Sequence, residues 1–196
     1  MDWSSIFKDS LTIAFSFCGL FIAQQGLQTW KEQLKGTKEM EAVYNLHFSL
    51  LKLREAIKYV RNPFVPVTES NKALELLKEK RPEKNDLELT DTANSYVYEL
   101  RWEKITAAYA EVDSHLLAIE VLWGSEILEL MKAVHSKVNE LNSALRQNFN
   151  PDQRIISPQE IHKIIYNQNL DGDDEFGRRI AESVETITTY LKSMVR

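Results

Sequence analysis

Leu11-Thr12-Ile13-Ala14-Phe15-Ser16-Phe17-Cys18-Gly19-Leu20-Phe21-Ile22-Ala23 carries no charge, and Trp3 and Trp30 stand on either side of it. A helix needs about 20 mostly apolar residues to cross about 30 Å of hydrocarbon. The strict run is shorter; carried on to Trp30 it takes in Gln24, Gln25 and Gln28, where headgroups or partner helices can solvate the amides. On one helix rising about 1.5 Å per residue, the two tryptophans lie about 40 Å apart. That is near the thickness of a bilayer with its interfacial layers, which tryptophan favours. The run predicts a single-pass membrane anchor over residues 1–30, carried by Leu11, Ile13, Phe15, Phe17, Leu20, Phe21 and Ile22 and bounded by Trp3 and Trp30.

Other readings of the run are weaker. A secretory signal wants a basic beginning and a small-residue cleavage site, whereas Asp2, Lys8 and Asp9 precede the run and Gln24-Gln25-Gly26-Leu27-Gln28 follows it. An in-plane amphipathic helix wants a charged face, and there is none from Leu11 to Ala23. A buried helix of a soluble core fits the marginal length. Only Lys8 precedes the run, while Lys31, Lys35 and Lys38 follow it. The positive-inside rule then places the C-terminal portion, residues 31–196, in the cytoplasm.

The chain has 196 residues, 43% hydrophobic and 27% charged, with a formal net charge of −5. Nearly all of that charge falls after residue 30, without a block of Lys or Arg. Phosphate neutralisation drives sequence-independent nucleic-acid binding, so no nucleic-acid partner is expected. Cys18 is the single cysteine, which excludes an intramolecular disulfide and a cysteine-based zinc site. Its mid-run position suits a small hydrophobe better than an acylation site at the cytoplasmic margin.

After Trp30 the pattern is helical. Val43, Leu46, Leu50, Leu53, Ile57 and Val60 alternate spacings of three and four, a narrow apolar seam on a helix that Asn62-Pro63 and Pro66 end. No proline falls between Ser10 and Asn62, so anchor, stalk and seam read as one long helix. A short helix follows over Ser70 to Lys80, then a polar loop from Arg81 to Asp86. Tyr98, Trp102, Ile105, Tyr109, Val112, Leu116, Ile119 and Trp123 keep the spacing without a miss, with Asp91 or Thr90 as the expected N-cap.

Gly124-Ser125 reads as a tight reversal, with a continuous helix through Gly124 as the competing reading. Ile127, Leu130, Val134, Val138, Leu141 and Leu145 mark the next helix, which ends near Asn150-Pro151. Ser157-Pro158-Gln159-Glu160 is a capping box that opens a short helix to about Asn167. Asp171-Gly172-Asp173-Asp174 breaks the chain before a last helix through Phe176, Ile180, Val184, Ile187, Leu191 and Met194. The expected fold class is all-α: a transmembrane helix continuing into an antiparallel four-helix-type bundle with two short extra helices.

Candidate chemistry is sparse. No Glu-x-x-His occurs, as a di-iron bundle requires, and Glu111 with His115 is a lone i,i+4 pair. Asp171 to Glu175 fails the register of a calcium loop. Neither a phosphate-binding glycine loop nor a nucleophile elbow is present, and the Arg154–His162 spacing is too wide for a HEPN-type ribonuclease. No catalytic residue, cofactor or metal is therefore assigned. Tyr98, Trp102, Tyr109 and Trp123 read as core at helical spacing. Among the scattered arginines Arg54, Arg61, Arg101, Arg178 and Arg179, Arg61 and Arg101 are the candidate contacts for an anionic ligand, Arg61 because it sits at a helix end beside Asn62-Pro63-Phe64.

Leu27-Gln28-Thr29-Trp30-Lys31-Glu32-Gln33-Leu34-Lys35-Gly36 and Arg61-Asn62-Pro63-Phe64 resemble stretches of an uncharacterised group of small bacterial membrane proteins with an N-terminal anchor and a helical bundle. Arg101-Trp102-Glu103-Lys104 and Glu120-Val121-Leu122-Trp123-Gly124 extend the likeness. The resemblance implies a topology, a bacterial origin and an inner-membrane location, and no activity. The expectation is a non-enzymatic, membrane-anchored interaction, scaffold or regulatory protein that acts through protein partners or self-association, with the lipid bilayer as its other partner. The alternatives are a ligand-triggered effector whose anchors assemble into a pore, with Gln24, Gln25 and Gln28 lining it, and a degenerate membrane-tethered helical nuclease using His115 and His162.

Overall fold

The structure, a computed structural model, describes residues 3–166 and 174–194, with side chains from residue 19 onward except at 86, 87, 91 and 153. It is all-helical, and no strand occurs among the described residues. Among the described residues six α-helices follow in order: α1 Trp3–Val60, α2 Val67–Lys80, α3 Asp86–Trp123, α4 Glu126–Phe149, α5 Pro158–Ile165 and α6 Glu175–Met194, with a 3-10 turn at Pro151–Gln153 after α4.

Local chemistry sets the boundaries. α1 closes with Arg61 N donating to Ile57 O at 3.0 Å, and the Asn62 side-chain oxygen then accepts from Phe64 N at 3.0 Å to turn the chain at Pro63. α2 begins at Val67, three residues before the expected Ser70, because Pro66 already holds an extended backbone (φ −60°, ψ 145°) at its N-cap. α3 also begins earlier than expected. Asn85, not Asp91 or Thr90, caps it by accepting from Glu88 N at 2.9 Å. α3 stops at Gly124, whose φ of +90° few L-residues adopt, and α4 restarts two residues later. The capping box at α5 is as expected: the Ser157 hydroxyl accepts from Glu160 N at 3.2 Å, and Ser157 N donates back to the Glu160 carboxylate at 3.1 Å. The expected Asp171-Gly172-Asp173 break lies outside the described residues.

The chain divides into two compact units, Met1–Glu41 and Ala42–Met194. In the first, every described side chain from Gly19 to Lys38 is exposed. The expected membrane-spanning helix is not supported here: among the described residues no helix is long and apolar enough to cross a membrane. From Gly19 onward the apolar positions give way to Gln24, Gln25, Gln28 and Lys31, and the side chains from Leu11 to Cys18 lie outside the described ones.

The second unit is a helical bundle. Cross-helix contacts give its sense. Lys52 reaches Glu111 at 2.8 Å while Arg101 reaches Asn62 O at 2.7 Å, so the end of α1 and the early part of α3 run oppositely. Tyr98 meets Phe149 and Tyr109 meets His135 across the α3–α4 hairpin. Tyr190 bonds Glu126, while Phe176 lies near Lys137, which sets α6 antiparallel to α4. The main core gathers Leu46, Leu50, Leu53, Ile57 and Val60 of α1 with the apolar stripes of α3, α4, α5 and α6. Tyr98 is buried in it; Trp102, Tyr109 and Trp123 are half-buried against it, as their helical spacing predicts. A separate small core joins Ala73 and Leu77 of α2 to Leu89, Ala93, Tyr96 and Val97 of α3.

Candidate interaction surface

α1 offers apolar side chains outward. In the first unit Leu20, Phe21 and Ile22 are 68%, 61% and 69% exposed. Successive helix positions are turned by about 100°, so these three cover more than half the circumference. Beyond Ala23 the character changes. Leu27, Trp30 and Leu34 are exposed on one side, and Gln25, Glu32 and Glu39 occupy the other. In the second unit Tyr44 and Phe48 are exposed and stacked, with ring centroids 6.0 Å apart and planes within 5°. Lys52 Nζ sits 4.8 Å from the Phe48 ring centroid. Composition and the three-four spacing single out none of Leu27, Leu34, Tyr44 and Phe48; the seven-residue step from Leu20 to Leu27 to Leu34 is the signal the sequence carries.

Arg61 and Arg101 do not stand open to an anion. Arg61 is 2% exposed. Its Nε donates to Ile164 O at 2.6 Å and its Nη2 to Lys163 O at 3.1 Å and Tyr166 O at 3.3 Å, so the guanidinium closes the C-terminal end of α5, where carbonyls are left without helical donors. The same group grips Asp174 in a two-point pair, Nη1 to Oδ1 at 3.0 Å and Nη2 to Oδ2 at 2.5 Å. Arg61 Cζ stands over the Phe176 ring, 4.6 Å from its centroid. Asp174 in turn accepts from Gly177 N at 2.8 Å at the start of α6.

Arg101, also 2% exposed, works on the opposite side of the same bend. Nη1 donates to Asn62 O at 2.7 Å, Nη2 to Phe64 O at 2.8 Å, and Nε to Glu69 Oε2 at 2.8 Å. The other Glu69 oxygen accepts from Tyr59 OH at 2.6 Å, and Lys104 Nζ stands 3.8 Å over the Tyr59 ring. Partial burial works to raise the Glu69 pKa, but the Tyr59 and Arg101 hydrogen bonds and the nearby cations outweigh it and hold the carboxyl below its usual range. Burial and the Glu69 bond push the Tyr59 phenol up. Both guanidinium groups are spent on carbonyls and a carboxylate: Arg61 ties the end of α1 to α5 and Asp174, and Arg101 ties the following bend to α3 and Glu69. Arg54, Arg178 and Arg179 do not converge with them; each pairs with a glutamate on its own helix.

The histidines stay apart. Glu111 is taken by Lys52 at 2.8 Å rather than shared with His115. His135 Nδ1 meets Tyr109 OH at 2.7 Å, in an open cleft of about 510 Å³ with Asp113 and Ser136. Burial first, then the Asp113 charge, raises the Tyr109 phenol, which disfavours a phenolate nucleophile. His162 packs edge-on against Tyr166 at 4.6 Å. No group of three or more metal-ligating side chains forms among the described residues. A larger cleft, about 810 Å³ between α4, α5 and α6, is lined by Glu140, Gln147, Lys163 and Arg179 among others. Its buried Gln147 is committed to structure, accepting from Ile155 N at 2.7 Å and Ile156 N at 3.3 Å and donating to Ser143 at 3.1 Å.

Compared with models of protein families, with curated proteins and with solved structures, the chain matches none.

Proposed function

We propose that this chain is a membrane-tethered helical interaction protein, held to a lipid bilayer by the early part of α1 and working through protein partners or copies of itself. The observation that carries the reading is the run of three consecutive exposed side chains, Leu20, Phe21 and Ile22. A protein partner covers one side of a helix; lipid covers all of it, and a helix apolar all round belongs in such a solvent. The sequence from Leu11 to Ala23 carries no charge, and Trp30 suits the interfacial edge of a bilayer. Lys31, Lys35 and Lys38 then favour a cytoplasmic bundle and a single pass through a bacterial inner membrane. The two buried arginines hold the bundle's own ends, so what the protein offers outward is the apolar surface of α1.

Fractionation of the full chain tests this. It should sediment with membranes, resist an alkaline carbonate wash and enter solution only with detergent. Release by carbonate overturns the single-pass reading. Phe21→Lys with Ile22→Lys should move the chain to the soluble fraction while leaving its helical circular dichroism unchanged.

A further inference from the structure

Leu20, Leu27 and Leu34 are seven positions apart, and all three are exposed. In sequence, Ile6 and Ile13 lie on the same step. Seven residues fall about 20° short of two full turns of a straight α-helix, so a seven-residue series drifts unless the helix supercoils left-handedly about a partner of the same period. The intermediate positions, three after each leucine, are Ala23, Trp30 and Thr37, and the opposite face is Gln25, Glu32 and Glu39. We infer that this face of α1 pairs with the same face of a second copy of the chain, parallel and in register, with Leu20, Leu27 and Leu34 as one core series and Trp30 in the other.

Charge sets the direction of this self-pairing. Beside the seam stand Lys31 and Lys38 on one flank and Gly26 and Gln33 on the other. In a parallel pair of copies each flank faces the opposite flank five residues along, which sets Lys31 against Gly26 and Lys38 against Gln33. An antiparallel pair sets each flank against itself, and the lysines then repel. The next position of the leucine series after Leu34 is Glu41, where two copies would oppose like charges, so the seam ends there. A seam this short is marginal in water. The pairing therefore rests on the membrane attachment proposed above, which raises the effective concentration of chains and points both helices the same way.

Single cysteines in a Cys18→Ser background of the full chain, oxidised in native membranes, test the pairing. Leu27→Cys, Trp30→Cys and Leu34→Cys should give several-fold more disulfide dimer than Gln25→Cys, Glu32→Cys and Glu39→Cys. Adding Leu27→Lys with Leu34→Lys to the Trp30→Cys chain should abolish its dimer, with circular dichroism confirming that the helices persist. Equal crosslinking at all positions, no dimer at the seam positions, or adducts with a different protein each overturn the inference. Carbonate-resistant chains without dimers would sink the pairing alone. Carbonate-released chains that still crosslink with this period would sink the membrane reading alone.

Discussion

Arg61 and Asp174 lie 113 positions apart and meet through two nitrogens and two oxygens, with Nη1 3.0 Å from Oδ1. Their side chains are 2% and 7% exposed. Removing one partner of such a pair strands a charge away from water, which costs about 3–5 kcal/mol. Arg61→Met should lower stability by that order in chemical denaturation, with α5 and α6 loosened together. Arg61→Lys should recover little of it, because an ammonium cannot span both carboxylate oxygens and the α5 carbonyls. A melting curve for Arg61→Met that overlays the parent would refute the role given to this pair.

Glu69 makes the bundle acid-sensitive. Its folded pKa is depressed, so the stability it contributes is present above the ordinary carboxyl value of 4.5 and is lost as pH falls through the folded value. Stability measured from pH 7 downward should decline on reaching that range. In Glu69→Gln the decline should be shallower, since the amide does not titrate.

Tyr98 gives the opposite limb. Burial first, then the charge of Tyr166, raises its phenol well above 10.0. A raised folded pKa gives stability that is present below the unfolded value and lost as pH climbs through the folded one. Spectrophotometric titration should show one tyrosine ionising only as the bundle unfolds, and Tyr98→Phe should remove that late step.

Gly124 sits at φ +90°, ψ −173°, with open space around the place a Cβ would take. Gly124→Ala meets no clash with neighbours and suffers only from its own backbone, at about 1–3 kcal/mol. A thermal shift near zero would mean the α3–α4 reversal can relax.

Ser157 is worth less. Ser157→Ala removes the hydroxyl that accepts from Glu160 N at 3.2 Å and should cost about 1 kcal/mol. Because the other end of α5 is held by Arg61, the loss should not add simply to that of Arg61→Met, and a double-mutant cycle would show the coupling.

Most of the architecture was legible because helices with one buried side write a three-four spacing into the chain. Tyr98 to Trp123 and Phe176 to Leu191 show it, and Ser157-Pro158-Gln159-Glu160 marked the start of α5 to the residue, though that helix ends at Ile165 rather than near Asn167. Asn85-Asp86-Leu87-Glu88 carries the same kind of signal, an Asn three before a Glu, at the edge of a polar loop, and α3 begins there. The partners of the arginines are hidden for a different reason. Sequence shows that Arg61 ends a helix, but not that the α5 carbonyls and Asp174, more than a hundred positions on, converge on it. Exposure on α1 was likewise invisible in outline: the apolar positions could be counted, but whether neighbours covered them depends on the fold.

The small core beneath α2 has a kinetic consequence. Ala73 and Leu77 are the buried contributions from that helix, and Glu69 fastens it further through Arg101 and Tyr59. Such a unit opens ahead of the whole molecule. In amide hydrogen exchange, α2 should lose protection as one cooperative block while the amides around Leu141 in α4 still require global unfolding. Because Arg101 bonds Glu69, Asn62 and Phe64 at once, each opening also frees the bend that ends α1. Opening of α2 thereby sets how often the C-terminal end of α1 is released.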